Sequence, residues 1–490
     1  MWIFEAIKPY LLWAGIIIPL LAIMFFLFIL FRASRISVKK GRRKSPLPVM
    51  EDLSSRAAES LSEMIRFKTV SSPESNAPAY FSALLRMRDY IKSRYPNVHE
   101  RMERETVAEY SLVYRWAGRN EGLNPILFCA HMDVVPAEGE WKHEPFSGDV
   151  SGNHVHGRGT LDCKNILVCL MEAAEALIGE GFIPERDIYF AFGHDEETGG
   201  ENGAKNIARL FAGRGITFDM VLDEGGAVQR GYMGVKKPVA SVAVTEKGFL
   251  TLKLTAHSAG GHSSTPPRHS AIGVISEAVC RVEYKQRKAK LLPVVEEQLL
   301  RLVSYMPSRM RLMTANLWCF KRRILKKMAN ESHNNALIRT TVASTMTRAG
   351  SAPNVLPQKA EVILNLRPIH GDSCVKLTEF VSDLVKGLGV EVEVMRGDDA
   401  SKISSYSSKE FKMLESAISD SFGDVVVIPA VMIGGTDARK YEELCENVYR
   451  FCPFVMTAAD SAKIHAANES VRIDYLGVAA EFYKNIFKAF

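Results

Sequence analysis

The sequence has 490 residues, 47% hydrophobic and 24% charged, which excludes wholesale disorder, collagen-like repeats and a multi-span membrane protein. The net charge is +6, but Arg32, Arg35, Lys39, Lys40, Arg42, Arg43 and Lys44 lie together without an acid, and subtracting these seven from +6 leaves −1. The rest is near neutral, and composition gives no case for nucleic acid as a partner. Eight cysteines without a CxxC pair exclude a disulfide scaffold and argue against a structural zinc ribbon.

Residues 11–31 (LLWAGIIIPLLAIMFFLFILF) carry no charge over 21 positions. At about 1.5 Å per residue they can cross a hydrocarbon core of about 30 Å. No small-residue cleavage site follows, so residues 1–31 read as an uncleaved single-pass membrane anchor. Residues 32–50, basic and ending in SPLP, read as a tether. The basic flank points to a cytosolic body by the positive-inside rule. The sequons at Asn330 and Asn468 point the other way. The side of the membrane stays open on these residues.

From residue 51 the pattern changes. EDLSSRAAESLSEMIRF (51–67) has helical spacing. PILFCAHMDVV (125–135) is a short apolar run with polar residues at its carboxyl end, and CKNILVCLMEAAEALIGEG (163–181) is helical. DIYFAFGHDEETGG and DMVLDEGG again run from strand to loop. Strands alternating with helices predict an α/β fold, a mainly parallel sheet with helices on both faces. Ligands in such sheets bind beyond the carboxyl ends of the strands, where these polar clusters sit. Residues 239–256 and 359–368 alternate and predict antiparallel strands, with a helix over 271–284 and a basic stretch at 285–328 between them. The basic stretch reads as a solvated helix face rather than a membrane contact. The expected division is 51–245 for the first catalytic part, 246–373 for an inserted smaller α+β domain, and 374–490 for the second catalytic part.

The chemistry sits at strand ends. His131 and Asp133 follow one strand, and Asp162 sits in GRGTLDCK before a helix. Glu196 and Glu197 are adjacent in HDEETGG, Asp223 and Glu224 in LDEGG, and His465 lies in KIHAANE. Imidazole and carboxylate oxygen suit zinc, and one carboxylate can bridge two ions. A further carboxylate must stay off the metals to move a proton. Each piece alone is ordinary, since most strand-end histidines are core residues and most paired acids in loops are solvated. The joint pattern, a ligand-type residue beyond several strand ends, carries the inference.

HMDVVP, WKHEPF, GRGTLDCK, GHDEETGG, LDEGG, SAGGHSS, GSAPNVLPQKAEVILNLRP, GGTDARKY and HAANE follow one another over residues 51–490. In this order they resemble the di-zinc aminoacylase/carboxypeptidase family, which includes acetylornithine deacetylase and succinyl-diaminopimelate desuccinylase. GHDEE, LDEGG, the long basic insertion and the hydrophobic N-terminus most resemble its carboxypeptidase S (Gly-X carboxypeptidase) and N-fatty-acyl-amino-acid synthase/hydrolase branches. The resemblance implies two Zn2+ per chain. It implies His131 as ligand of one zinc, Asp162 as the bridge, and Glu197 and His465 as ligands of the other. Asp223 or Glu224 supplies the remaining ligand. Glu196 is the implied general base, and Asp133 orients His131. Cys163 reads as a packing residue rather than a soft ligand.

The resemblance further implies that His262 polarises the scissile carbonyl, often across a homodimer. It implies that Asn354, Arg367, Gly435 and Arg439 contact substrate, and that the inserted domain is a lid and dimerisation unit. The expected activity is zinc-dependent hydrolysis releasing a C-terminal amino acid from a small peptide. The alternative is an N-fatty-acyl-amino-acid hydrolase/synthase or aminoacylase acting on an N-acyl amino acid. A catalytically dead tethered binding protein would have lost a ligand or the base, and none is missing. The body is expected on the luminal or extracellular side.

Overall fold

A computed structural model describes residues 2–36, 51–71 and 78–490. Most of the expected tether, residues 37–50, lies outside the described residues.

The central sheet has eight strands: β1 (Glu103–Val107), β2 (Ser111–Trp116), β3 (Ile126–His131), β4 (Ile188–Gly193), β5 (Met220–Gln229), β6 (Val239–Glu246), β7 (Val426–Met432) and β8 (Val448–Met456). Their spatial order is β1-β2-β4-β3-β5-β8-β6-β7. The sheet is mixed, and parallel pairs predominate among neighbouring strands. The pairs β3–β4, β3–β5, β5–β8 and β6–β7 are parallel, while β1–β2, β2–β4, β5–β6 and β6–β8 are antiparallel. The β1–β2 hairpin supplies one antiparallel edge. It turns through Ala108 and Glu109 at positive φ, with no glycine to announce it.

Strand side chains alternate between two cores. Ile126, Phe128, Ala130, Ile188, Phe190 and Phe192 face one, with Leu61, Leu167 and Phe487 from helices Glu51–Ile65, Lys164–Gly179 and Ile473–Ala489. Leu127, Cys129, Tyr189, Ala191 and Val221 face the other, with Ile207 and Phe211 from helix Ala204–Gly213. Both faces are covered, so β3 and β4 are buried at every position and show no polar alternation. Each buried Leu, Ile or Phe contributes about 1.5–3 kcal/mol of transfer free energy.

A second, four-stranded antiparallel sheet runs in the order Thr341–Ala349, Lys359–Arg367, Phe249–His257, Val390–Asp398. Helices Ala271–Tyr284 and Cys374–Val385 cover one face and form its own core with Leu252, Leu254 and Leu364. The expected 246–373 boundary therefore stops short. Helix Cys374–Val385 and strand Val390–Asp398 belong with this sheet. The basic stretch also departs from that unit. Val294, Val295, Leu299 and Leu302 of helix Pro293–Leu302 pack on β7, and Ile324 and Met328 join the same large core. The helix carries its apolar residues on the face toward β7, so it covers that edge strand instead of the small sheet.

The Trp2–Arg35 helix is long and apolar enough, by length and composition, to cross a membrane over Gly15–Arg35.

Candidate active site

The strand ends converge. Asp162 stands between two imidazoles: its Oδ1 lies 3.0 Å from His131 Nε2 and its Oδ2 3.0 Å from His465 Nε2. Glu224 Oε1 lies 3.4 Å from His131 Nε2, and Glu197 Oε2 lies 3.3 Å from His465 Nε2. His131, Asp162, Cys163 and Glu224 thus form one group of potential ligands, and Asp162, Glu197 and His465 the other. Asp162 belongs to both.

Local sequence builds each position. In LDEGG, Arg450 of β8 pairs with Asp223 and Phe451 with Gly226, so Glu224 and Gly225 form a bulge that turns Glu224 to the cluster. Gly226 is required because a Cβ there would collide with the Ser241 carbonyl. Asp223 is buried and lies in neither group. Its Oδ1 accepts from the Glu224 N–H at 2.8 Å.

The Asp162 loop is pinned from the far end of the chain. Glu469 Oε1 accepts from the N–H groups of Gly159, Leu161 and Asp162 at 3.1, 2.6 and 3.3 Å, and Arg158 Nη1 donates to Oε2 at 2.6 Å. His465, four residues before Glu469, is in the left-handed region at φ 62°.

Asp133 ties His131 to the Glu196–Glu197 turn. It accepts from Glu196 N–H at 3.1 Å, Glu197 N–H at 3.2 Å and Ser71 Oγ at 2.6 Å. His131 Nδ1 is closer to the Asp133 carbonyl oxygen, at 2.9 Å, than to its carboxylate, at 3.4 Å. The backbone of Asp133 therefore fixes the tautomer that presents Nε2 to Asp162, and its carboxylate chiefly holds the glutamate turn. Cys163 Sγ accepts from the His131 N–H at 3.2 Å.

The donor set fits divalent cations. Glu197 Oε1 is buried without a hydrogen-bond partner. Burial, against the pull of His131, pushes Glu224 up to about 8, with Asp162 also raising it, and burial lifts the Glu196 carboxyl well above its usual range. Hydrogen bonds that His465 donates to Asp162 and Glu197 push it up to about 10. These are marks of crowded acids that lack counter-charge, which two cations among N and O donors would supply.

A cavity of about 460 Å³ opens beside the cluster, lined by Glu196, Glu197 and His465 on one side and by Phe249, Arg367, Gly435 and Arg439 among others. Arg367 stacks on Phe249 at 4.8 Å, and burial followed by the Arg439 charge lowers its pKa. Arg396 and Lys440 also line the cavity.

His262 and Asn354 are not brought to the cluster. They lie on a short ribbon, where Gly261–His262 pairs with Val355–Leu356 and the Asn354 carbonyl accepts from Ser263 N–H at 3.1 Å. Both side chains are exposed and line neither the cavity nor the ligand groups. His262 Nδ1 accepts from the Ser264 N–H at 3.2 Å and meets its hydroxyl at 2.8 Å, leaving Nε2–H outward.

A profile described as Peptidase family M20/M25/M40 matches residues 127–489. The chain belongs to this family. It is an M20 amide-bond hydrolase of the metallo-carboxypeptidase and dipeptidase kind. It is 38% identical over 443 residues to probable carboxypeptidase S-like 2 of Dictyostelium discoideum, covering 88% of this chain and 84% of that protein. It is 33% identical over 458 residues to the N-fatty-acyl-amino acid synthase/hydrolase of Homo sapiens, covering 90% and 89%. Among solved structures, an M20 family metallo-carboxypeptidase from Sulfolobus solfataricus superposes with TM-score 0.68 at 16% identity, covering 88% of this chain and 99% of that one. Human carnosine dipeptidase 1 gives 0.67 at 13% identity, covering 91% and 99%. At these identities the structural likeness concerns the fold.

Four residues of this M20 chain lie outside the sequence reading: Ser71, Phe249, Arg396 and Glu469. Glu469 alone left a signal, as the final acid of HAANE. Ser71 and Phe249 look like ordinary strand and loop residues. Arg396 comes from strand Val390–Asp398, assigned by sequence to the other unit.

Proposed function

We propose that the chain is a di-zinc carboxypeptidase or dipeptidase that releases a C-terminal amino acid from short peptides. The observation that carries this is the placement of one carboxylate, Asp162, 3.0 Å from each of two imidazoles, with a glutamate beside each. His131, Glu224 and Asp162 would hold one ion, and Asp162, Glu197 and His465 the other. When bound, the two ions lower the pKa of water and polarise an amide carbonyl.

Glu196 is left without a ligand role and borders the cavity. It takes the proton of the attacking water and returns it to the leaving nitrogen. Asp133 positions Glu196 through its backbone N–H. Arg367, with Arg396 and Arg439 near it, grips the terminal carboxylate of the departing amino acid. His262 donates Nε2–H to the carbonyl oxygen, and Asn354 contacts substrate, once the second-sheet unit closes or a second copy of the chain presents its ribbon. That unit, residues 249–284 with 341–398, is the lid. Residues 434–439 shape the cavity wall through Gly435.

The curated relatives named as N-fatty-acyl-amino acid synthase/hydrolases support a second reading, hydrolysis of N-acyl amino acids at the same centre. The cavity lining supports the peptide reading, because Phe249 is its one large apolar side chain among charged and small residues. The rates on a blocked Gly-Leu dipeptide and on N-oleoyl-phenylalanine separate the two. The peptide reading expects the dipeptide to be the better substrate by kcat/KM, and preference for the oleoyl amide reverses it.

The Trp2–Arg35 helix serves as a single-pass anchor, with the catalytic body on the luminal or outer side. Asn330 is exposed and free to carry a glycan. Asn468 Oδ1 accepts from Lys142 N–H at 2.7 Å and its Nδ2 donates to the Glu140 carbonyl at 3.4 Å, so the nitrogen that a glycan would take is engaged. A glycosidase-sensitive mass shift lost in Asn330→Gln supports this side, and no shift in the membrane-isolated chain opposes it.

A further inference from the structure

The helical pair Ser308–Ala315 and Leu317–Met328 takes no part in the chemistry above. Residues 308–328 hold seven Lys or Arg and no acid. The second helix sorts them cleanly. Leu317, Ile324 and Met328 are buried, while Lys321, Arg322, Arg323, Lys326 and Lys327 are exposed. Trp318 is exposed too, at 57%.

This pair is also where the apolar Trp2–Arg35 helix touches the body. The Trp318 ring meets Phe25 and Phe28 edge-on at 5.8 and 6.5 Å. Asn316 Nδ2 donates to the Ile29 carbonyl at 3.2 Å, and Arg311 donates to the Ile36 carbonyl. Ile29 and Ala33 are buried, whereas the residues from Gly15 to Phe28 are exposed. The contact fixes a depth. Phe25 and Phe28 precede Arg32, the first charge after the apolar run, by seven and four residues, about 6–10 Å along a helix. That is the layer where tryptophan sits in membrane proteins and where surface helices settle.

We infer that the Leu317–Met328 helix lies on the bilayer entered by the Trp2–Arg35 helix, with Trp318 in the interfacial layer. Its lysines and arginines pair with the phosphates of anionic phospholipids. The basic stretch is then a membrane contact, not the solvated face expected from its sequence. The charge is complementary, and among the described residues the apolar helix meets the body beside this face. Trp318 lies about one turn before the five cations, and it stays 57% exposed although its ring meets Phe25 and Phe28, as a tryptophan in the interfacial layer does. The inference rests on the anchor reading but not on the side of the membrane, which the Asn330 test reads separately, and it is independent of the substrate.

Cys319, exposed beside Trp318, allows a direct test. The full chain carrying Cys280→Ser is labelled at Cys319 with an environment-sensitive fluorophore. It is then reconstituted into phosphatidylcholine vesicles with or without phosphatidylserine, with headgroup-attached spin labels as quenchers. The inference expects quenching and a blue shift that grow with phosphatidylserine and fall in high salt. Each basic residue near an anionic surface is worth about a fivefold change in partition. The combined Lys321→Glu, Lys326→Glu and Lys327→Glu variant therefore loses the response by two orders of magnitude or more, while its peptidase activity, the check on folding, is unchanged. Equal quenching in neutral and anionic vesicles, or an unaltered response in the charge variant, overturns it. So does an equal response to heparin without vesicles, which marks a general polyanion site. Carbonate extraction reads the anchor separately. A chain stripped by carbonate loses the anchor reading, yet its probe still responds if the basic face binds lipid.

Discussion

Asp133 accepts the backbone N–H of Glu196 at 3.1 Å, so the residue beside one candidate ligand also holds the candidate base in place. A single side chain thus links the end of β3 to the turn after β4. Asp133→Asn keeps the shape but replaces one acceptor oxygen with a donor facing N–H and O–H groups. We expect kcat to fall 10–100-fold, the range for losing a supporting partner at a metal site. Metal content at saturating zinc should stay near wild type. Unchanged kcat would remove Asp133 from the mechanism.

Glu196→Gln tests the base itself. General-base groups contribute about 10²–10⁴-fold, and kcat should fall within that range with metal binding retained. Loss of bound metal in this variant would instead make Glu196 a ligand.

Glu469 is buried against Arg158 and three backbone N–H groups. Glu469→Ala leaves a buried guanidinium unpaired and should destabilise the chain by about 3–5 kcal/mol. Glu469→Gln retains an acceptor and should cost less. Denaturant unfolding of both variants measures the difference. Equal, small losses would mean that the loop carrying Asp162 is held by other contacts.

Arg367→Ala should raise KM for substrates with a free terminal carboxylate far more than for their C-terminal amides. A bidentate charge-assisted pair is worth roughly 1.5–3 kcal/mol, about 10–150-fold. Equal effects on both substrate forms would assign Arg367 to its stacking on Phe249.

Metal removal carries a pH signature. Without metal, burial pushes Glu224 up to about 8 from its usual 4.5, and Asp162 and Glu197 push His465 up to about 10 from 6.5. Both folded values exceed the unfolded ones, so the folded chain holds extra protons. Their stabilisation is complete below the unfolded values and is lost as pH rises through 8 and then 10. Asp162, held below its usual range, acts oppositely and only in acid. The Tm of the stripped chain should therefore drop between about pH 6 and about pH 9, and zinc should protect more at the higher pH. A flat Tm in the stripped chain would contradict the crowding of these acids.

Much of this was readable from residues alone. Strand ends followed by His131, Asp162, Glu197 and Glu224 are local patterns, because each candidate ligand sits beside the glycines and apolar runs that place it. That Glu224 and not Asp223 joins the group of potential ligands was not readable. It depends on a bulge set by the pairing of β5 with β8, more than two hundred residues apart in sequence. The mixed sheet was hidden because strands buried on both faces look alike whichever way their neighbours run. The affiliation of residues 293–328 was hidden for a related reason. An apolar helix face announces burial but not the partner, and here the partner is β7 and the large core, not the sheet that flanks the stretch in sequence.

The central claim is that Asp162 is shared by two ions. Metal content per chain, measured by mass spectrometry on the purified wild type, His465→Ala and Asp162→Asn, tests it most directly. The account predicts two zinc ions in the wild type, one after His465→Ala and fewer than one after Asp162→Asn. Two ions retained by Asp162→Asn, or a single ion in the wild type under saturating zinc, would contradict it.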